Sequence, residues 1–386
     1  MSEWKKVPLD KMGVISRGKS KHRPRNDARL FGGKYPFIQT GDIGAAGLYV
    51  QNYSQTYNEE GLAQSKLWAK DTLCITIAAN IADTALLAFP ACFPDSIMGF
   101  VPYENVSNVK FVKYCFDILK RDCQQISQGT AQDNLSWKKL STILFPCPPI
   151  EVQNRIVDFL SRYDSLIENY QKQIKLLEEA AQRLYKEWFV DLRFPGHEST
   201  KIVDGVPEGW ENGKLGDLAE FKRGKTITKK ETIEGNIPVV AGGLEPAYYC
   251  NKANTAERVI TVSGSGANAG FTKMYFEKVW ASDCSFIDCS STNYLYFIYC
   301  YLISNKSILD NMQKGAAQPH VYAKDINAMI LLVPNVNLIL DFEKKVEKYY
   351  NSISSIQSQI RLLSEARDRL LPKLMNGEIS AIGEMA

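Results

Sequence analysis

Two runs of basic residues are the positions at which this sequence most clearly indicates binding chemistry. Between Arg17 and Lys34 the only acid is Asp27, and the cations alternate with small polar residues. Long cations suit contacts to phosphates, and small polar side chains suit contacts to base edges, so the mixture favours a nucleic acid as the partner. The predicted phosphate-binding residues are Arg17, Lys19, Lys21, Arg23, Arg25 and Arg29 in the first run, and Lys222, Arg223, Lys225, Lys229 and Lys230 in the second.

A solvated surface loop would account for either run taken alone, and the formal net charge of the chain is only +3. The recurrence of the run in both halves of the chain is what favours nucleic acid. Polar residues at predicted loop tips are candidates for contacts to base edges: Asn80, Gln132 and Asn134 in the first half, and Ser265, Asn268, Gln318 and His320 in the second. Turn formation and packing at the start of a helix are the alternative explanation for these residues, and they explain Gln132 and Gln318 at least as well.

The stretch at residues 264–269 has the G-x-G-x-x-A pattern of a dinucleotide-binding turn. That site requires a helix directly after the turn, with its N-terminus at the pyrophosphate. Residues 270–276 are instead aromatic and strand-like, and the corresponding residues 79–84 lack the glycines. We therefore predict a strand, a turn and a second strand here rather than a site for a dinucleotide or a methyl donor.

The remaining composition offers no catalytic constellation. The sequence has three histidines and nine cysteines without a C-x-x-C pair, which argues against a metal site and against a disulfide framework. It also lacks a P-loop lysine motif and the N-P-P-Y signature of an amino-methyltransferase. We predict no catalytic residue, no metal and no cofactor. Because no stretch is long and apolar enough for a signal peptide or a membrane span, we expect a cytoplasmic protein without a membrane partner.

An internal repeat organises the chain. The residues Trp4, Leu9, Arg17, Gly18 and Lys19 recur with identical spacing as Trp210, Leu215, Arg223, Gly224 and Lys225. Short β-branched stretches recur as well, at residues 74–79 and 259–264. The sequence thus predicts two similar strand-rich globular heads, the second beginning near residue 206.

Each predicted head is followed by a long heptad pattern. Apolar residues advance in steps of four and three, the pattern of a helix that pairs with another helix. The predicted seam residues are Ile156, Leu160, Tyr163, Ile167, Ile174, Leu177 and Leu184 in the first helix, and Phe342, Val346, Tyr349, Ile353, Ile360, Leu363 and Leu370 in the second. Arg367 breaks the second seam, and Pro372 predicts that this helix ends or kinks at Leu371.

The repeat also predicts the architecture. The first helix leaves the first head and reaches the second, and by internal symmetry the second helix must return. We therefore expect an α+β fold in which two similar mixed α/β heads are separated by a long antiparallel two-helix coiled coil with pseudo two-fold symmetry. The predicted boundaries are 1–147 for the first head, 148–190 for the first helix, 191–207 for a linker, 208–333 for the second head, 334–376 for the second helix and 377–386 for a tail.

Three stretches carry a resemblance to a known family: PPIEVQNRI at residues 148–156, LYKEWFVD at 184–191 and LLPKLMNGEI at 370–379. With the repeat, they make the chain similar to the specificity subunit of Type I restriction-modification systems over essentially its whole length. The sequence departs from the family at Val152, where an acid is usual, and at residues 335–339, which lack the glutamine-bearing form.

The resemblance implies that each head is a target recognition domain reading one half of a bipartite, asymmetric site in double-stranded DNA. It implies that the helices set the unread gap and dock two modification (methyltransferase) subunits, which would bring S-adenosylmethionine. Restriction (motor-nuclease) subunits would add translocation and cleavage. The chain itself would be non-catalytic.

Two other functions are compatible with the sequence. One is a coiled-coil scaffold with two protein-binding heads and incidental basic loops, which would show no selection among DNA sequences. The other is a stand-alone nucleotide-binding enzyme built on residues 264–269, which would bind S-adenosylmethionine or NAD as an isolated chain.

Overall fold

The computed structural model describes residues 4–127, 135–313 and 319–379. Its chain forms two compact units: unit 1 comprises Met1–Tyr170 and Gln359–Ala386, and unit 2 comprises Gln171–Ser358. We call residues 4–149 of unit 1 the first head and residues 191–335 of unit 2 the second head. Each unit also contains one part of each of two long helices.

The described strands of unit 1 are β1 (Lys6–Pro8), β2 (Gly13–Arg17), β3 (Phe31–Phe37), β4 (Tyr49–Val50), β5 (Gln55–Tyr57), β6 (Leu67–Trp68), β7 (Leu73–Thr76), β8 (Thr84–Leu87), β9 (Ala91–Cys92), β10 (Ile97–Pro102) and β11 (Leu144–Pro146). The α-helices that begin in this unit are α1 (Thr40–Gly44), α2 (Glu59–Ala63), α3 (Val109–Ser127), α4 (Trp137–Leu140) and α5 (Ile150–Tyr185), with short 3-10 turns at Leu9–Lys11 and Ala28–Leu30. The strands form sheets in the orders β2-β10-β7-β8-β4 and β5-β3-β9-β6, and β1 pairs with β11.

Side-chain alternation along β7 explains how the sheets of unit 1 pack. Every residue of this strand is buried. Leu73 and Ile75 face a core that also contains α3 and the start of α5. Cys74 faces the other way, toward a core that contains Trp68 and Ala91 of the second sheet. Because successive side chains of a strand point to opposite faces, this central sheet is covered on both sides.

The described strands of unit 2 are β12 (Ile202–Val203), β13 (Val206–Pro207), β14 (Glu211–Lys214), β15 (Lys222–Arg223), β16 (Ile237–Val240), β17 (Tyr248–Cys250), β18 (Val259–Ser263), β19 (Thr272–Tyr275), β20 (Trp280–Ala281), β21 (Cys284–Asp288) and β22 (Ile330–Val333). Its α-helices are α6 (Leu215–Leu218), α7 (Leu295–Ser304), α8 (Lys306–Asn311), α9 (Ala323–Asn327) and the first part of α10 (Val336–Met375), with 3-10 turns at His197–Ser199, Lys229–Glu231 and Gly266–Asn268. Here the sheets have the orders β15-β21-β18-β19 and β17-β16-β20, while β12 pairs with β13 and β14 pairs with β22.

The two heads share a topology, so the internal repeat is present in the fold. The order β2-β10-β7-β8 of the first head matches β15-β21-β18-β19 of the second. A parallel pair occurs in each second sheet, β3 with β9 and β16 with β20. The strand, turn and strand predicted around residues 264–269 are confirmed, because β18 and β19 pair antiparallel across the 3-10 turn.

The two long helices confirm the α+β class. Helix α5 continues into a π-helical turn at Lys186–Val190, and α10 runs without interruption to Met375. In unit 1 the end of α10 lies beside the start of α5, since Leu374 and Met375 share one buried core with Ile156 and Val157. Farther along, the Arg367 guanidinium lies 2.7 Å from the Asp164 carboxylate. The two helical segments of unit 1 therefore run antiparallel.

Every predicted seam position is buried or half-buried. In unit 1, Ile156 and Leu160 pack with Leu371 and Leu374. In unit 2, Trp188 packs against Phe342 with a distance of 6.0 Å between ring centroids.

Pro372 does not end α10 at Leu371, so that alternative was wrong. The helix continues to Met375. Leu371, Leu374 and Met375 are all buried in the core of unit 1, and this burial offsets the backbone hydrogen bond that proline removes. The N–H of Asn376 still donates to the carbonyl of Pro372 at 3.0 Å.

Candidate nucleic-acid interface

The Arg-Gly-Lys turn of the first head lies against the connection that leads into β10. The Gly18 N–H donates to the Ile97 carbonyl at 2.8 Å, and the Lys19 N–H donates to the Phe93 carbonyl at 3.1 Å. A Cβ atom on Gly18 would lie 2.3 Å from the carbonyl oxygen of Pro94. Glycine is required here because no side chain fits.

The second head repeats this arrangement. The Gly224 N–H donates to the Cys284 carbonyl at 2.8 Å, and the Lys225 N–H donates to the Ala281 carbonyl at 2.9 Å. A Cβ on Gly224 would lie 2.3 Å from the carbonyl oxygen of Ser282. The recurrence of glycine therefore has a packing cause, whereas the cations beside it are exposed in both heads.

The predicted phosphate-binding residues of the first head fall into two groups. Arg25 lies 2.5 Å and Arg23 lies 3.7 Å from the Asp95 carboxylate, and Arg29 lies 2.7 Å from Asp27. The hydrogen bond from the Arg29 side chain, with further ones from the Arg29 backbone and from His22, holds the pKa of Asp27 well below its usual range. Because these pairs are solvent-exposed on at least one side, each contributes little to stability.

The second group is exposed and uncompensated. Arg17, Lys19 and Lys21 have no acidic partner within the described part of the chain. In the second head the same holds, among described residues, for the cations Lys222, Lys225, Lys229 and Lys230. These side chains are the free positive charges of the basic runs.

Arg223 differs from the other cations of its run because it is paired with an acid, Asp283. The same carboxylate binds Ser265, a predicted base-reading residue. The Arg223 guanidinium lies 3.3 Å from Oδ1 of Asp283, and Oδ2 of the same carboxylate accepts a hydrogen bond from the Ser265 hydroxyl. The backbone of Ser265 forms an isolated β-bridge with His320. Arg223 and Ser265 therefore both contact Asp283, and His320 lies beside Ser265 along the backbone.

The other predicted base-reading residues are placed as follows. Asn268 donates from its amide to the Gly242 carbonyl at 3.3 Å. Asn80 is exposed in the turn between β7 and β8, and its carbonyl accepts from the Thr76 hydroxyl. Gln132, Asn134 and Gln318 lie outside the described residues.

Three charged residues beside the predicted site residues were not identified from the sequence, namely Asp95, Asp283 and Lys120. Asp95 and Asp283 both lie just before the strand that pairs with the Arg-Gly-Lys strand, and both bind arginine. Lys120 of α3 lies 2.5 Å from Asp83, next to the turn that carries Asn80. A usable signal was present, because an acid precedes β10 and β21 in both copies of the repeat.

Among the described residues, no group of three or more His, Cys, Asp or Glu side chains could hold a metal ion. None of the described helices is long and apolar enough to cross a membrane. Burial raises the pKa of the Cys284 thiol to about 12, and Cys74 is fully buried as well, so these thiols remain protonated near neutral pH.

The profile of the family described as Type I restriction modification DNA specificity domain matches residues 1–179 and 207–361. The chain belongs to this family. The first segment covers the first head and most of α5, and the second covers most of the second head and the first part of α10, so the family unit occurs twice. The resemblance drawn from the three sequence stretches is thereby confirmed.

Individual relatives extend over nearly the whole chain. The chain is 26% identical to the Type I restriction enzyme MjaIX specificity subunit of Methanocaldococcus jannaschii, with 98% of this chain and 94% of the relative covered. It is 22% identical to the Type I restriction enzyme HindI specificity subunit of Haemophilus influenzae, with 98% of this chain and 100% of the relative covered. A crystal structure of the specificity subunit from M. genitalium aligns with a TM-score of 0.57 and 18% identity over 96% of both chains, which supports the family fold.

Proposed function

We propose that this protein is the DNA sequence-recognition subunit of a Type I restriction-modification complex. The observation that carries the proposal is that the family segment occurs twice, each time with an Arg-Gly-Lys turn whose cations are exposed. Phosphate contacts from such cations supply affinity and position a protein on duplex DNA without reading its sequence. Reading the sequence then falls to the polar side chains beside them.

Each head would read one half of a bipartite DNA site. The backbone framework is shared, but the side chains that it presents differ, because Asn80 after β7 is replaced by Ser265 after β18. Different donors and acceptors recognise different base pairs in the major groove. The two half-sites are therefore expected to differ, and the whole target is expected to be asymmetric.

The long helices would set the unread gap and dock two modification subunits. Their surface carries large apolar side chains that this chain leaves exposed, among them Leu166 at 45%, Leu176 at 63% and Leu362 at 60%. These side chains are available for contact with a partner that covers the helices. The docked subunits would transfer methyl groups from S-adenosylmethionine to adenine, and restriction subunits would add translocation and cleavage.

Selection from a pool of randomised duplexes tests the proposal. The full chain, alone and assembled with the modification subunits of the same system, is incubated with the pool, and bound DNA is sequenced. We expect enrichment of one sequence made of two short conserved blocks separated by a constant unread gap. A chain that acts as a scaffold for two protein partners would enrich no sequence in either case, and that result would contradict the proposal.

Charge-matched variants separate specific binding from general attraction. Replacing the free cations Lys19 and Lys225 should weaken binding to every duplex, whereas replacing Lys306, which is paired with Asp310 at 2.6 Å, removes the same charge elsewhere on unit 2. Equal losses for Lys225→Ala and Lys306→Ala would show that attraction follows net charge alone and not the basic runs.

A further inference from the structure

An aspartate lies within the segment that binds the Arg-Gly-Lys turn of the first head. The carbonyl of Phe93 accepts a hydrogen bond from the Lys19 N–H at 3.1 Å. The carbonyl of Ile97 accepts from the Gly18 N–H at 2.8 Å. Asp95 lies in the chain between these two acceptors. The two hydrogen bonds therefore hold the backbone of Asp95 beside the basic run.

The second head has an aspartate at the corresponding place. The carbonyl of Ala281 accepts from the Lys225 N–H at 2.9 Å, and that of Cys284 accepts from the Gly224 N–H at 2.8 Å. Asp283 lies between these two acceptors. Both copies of the repeat thus bring one carboxylate to the basic run through the same backbone pattern.

Both aspartates are paired with arginines of the basic runs. Asp95 lies 2.5 Å from Arg25 and 3.7 Å from Arg23, and Asp283 lies 3.3 Å from Arg223. Each of these side chains is between 31% and 57% exposed. Because exposed ion pairs contribute little to folding, stability does not account for an acid at this place in both heads.

These pairs lower the positive charge that the basic runs present to a polyanion. Arg223 lies in the run between Lys222 and Lys225, which are exposed, and it alone of the three is held by Asp283. A cation that neutralises a phosphate releases a counterion, and this release supplies the affinity of the contact. An arginine already neutralised by a carboxylate adds little net charge, and the carboxylate itself repels phosphates.

We propose that Asp95 and Asp283 limit the sequence-independent attraction of the two heads to duplex DNA. The inference rests on the proposed function and adds two residues that set affinity without reading a base. Binding to non-target DNA comes almost entirely from phosphate contacts. Neutralising an arginine in each run therefore shortens the time that the protein spends on non-target DNA, and the base contacts still select the target.

The test measures binding of the full chain, alone and assembled with the modification subunits, to a random-sequence duplex and to the duplex selected from the randomised pool. Asp95→Asn and Asp283→Asn each remove the charge and keep the shape of the side chain. We expect each variant to bind both duplexes about 5-fold more tightly at about 0.15 M salt, with the slope of log affinity against log salt steeper by about 1. Fluorescence anisotropy at several salt concentrations measures both quantities.

Two controls separate the release of an arginine from a general change in net charge. Glu179→Gln removes the same charge from another acid that is paired with an arginine, Arg183 on α5, at 3.6 Å and outside both basic runs. It should leave the slope unchanged. Asp283→Asn in an Arg223→Ala background should give no steeper slope either, because no arginine is left to release. Thermal unfolding shows that each variant has folded.

The outcomes distinguish this inference from the proposed function. Steeper salt dependence in both aspartate variants, absent from both controls, supports the inference. Unchanged or weaker binding by either folded variant would overturn it and leave the proposed function intact. An equal gain in Glu179→Gln, or a gain retained without Arg223, would also overturn it, because net charge would then explain the result. Absence of sequence selection by wild type would overturn the proposed function and the inference with it.

Discussion

Arg367 of α10 and Asp164 of α5 form an ion pair at 2.7 Å within unit 1. The same carboxylate accepts a hydrogen bond from the hydroxyl of Tyr114 on α3. Arg367 is the residue that interrupts the apolar seam, and its partner is 11% exposed. At the position where Arg367 replaces an apolar residue, a polar contact through Asp164 therefore links α5 and α10 to Tyr114 of the first head.

Breaking this contact should destabilise unit 1. Arg367→Leu leaves the Asp164 carboxylate poorly solvated and without its cation, and removing one partner of a largely buried pair costs about 2 kcal/mol or more. Arg367→Leu combined with Asp164→Asn should recover part of that loss, because no charge then remains unpaired. Urea unfolding of the full chain measures both variants, and equal stability of the single variant and wild type would contradict the role given to the pair.

At both Arg-Gly-Lys turns the glycine lies against the backbone of a neighbouring segment. We therefore expect that adding a methyl group to either glycine lowers the stability of the protein. Gly18→Ala and Gly224→Ala each force a Cβ to within 2.3 Å of a carbonyl oxygen, so the strand must shift, at a cost of about 2 kcal/mol. Gly47→Ala is the matched control, because nothing lies within 4 Å of its Cβ position. We expect lower thermal unfolding midpoints for the first two variants only.

Stability of unit 2 should depend on pH through Glu343. Burial raises the pKa of this carboxyl to about 8, although the backbone N–H groups of Phe297 and Tyr296 donate to it. The folded protein therefore holds a proton that the unfolded chain releases near pH 4.5. The stabilisation is complete below that pH and is lost as pH rises toward 8.

Replacement of Glu343 by Gln removes this dependence. Relative to wild type, Glu343→Gln should gain roughly 3 to 4 kcal/mol of stability between pH 5 and pH 8, measured by denaturant unfolding at several pH values. The variant Glu257→Gln, at an exposed position of the same unit, controls for loss of a carboxylate. The same pH profile in both variants would show that Glu343 is not responsible.

The salt dependence of DNA binding should show whether the unpaired cations Lys19 and Lys225 contact phosphates. Lys19→Ala and Lys225→Ala should each weaken binding about equally for all sequences and reduce the slope of log affinity against log salt by about 1. Arg25→Ala should have a smaller effect, because Asp95 already compensates that charge at 2.5 Å. Fluorescence anisotropy at several salt concentrations measures the slopes, and an unchanged slope for both lysine variants would exclude them as phosphate contacts.

Exchange of the second head tests the division of labour between the heads. Replacing residues 208–333 by the corresponding segment of a relative should change one half of the methylated site and leave the other half and the gap unaltered. The physical reason is that the core of unit 2 contains its own sheets and helix α7, independently of the first head. Long-read mapping of methylated adenines reads the result, and changes in both halves would contradict it.

The features that sequence patterns predicted well are periodic or repeated. Heptad spacing located both long helices, and short β-branched stretches followed by turn-forming residues located β7 and β18. The absence of a helix after residue 269 was enough to reject a dinucleotide site, and β19 occupies that stretch. The helices were predicted correctly because the burial of one helix face imposes a local period on the residues. The strands were predicted correctly because a strand buried on both faces is a short continuous apolar run.

Only the tertiary structure decided which residues far apart in the chain pair with each other. Nothing local to Arg367 indicates Asp164, and nothing local to Ser265 indicates that Asp283 takes its proton. Pro372 was assigned too strong a local effect, because the burial of Leu371 and Leu374 in unit 1 outweighs it. Sequence determined the elements, their repetition and the family, since these follow from local periodicity. Tertiary contacts determined which cations are free and which oxygens accept, since hydrogen-bond partners are chosen by packing across the fold.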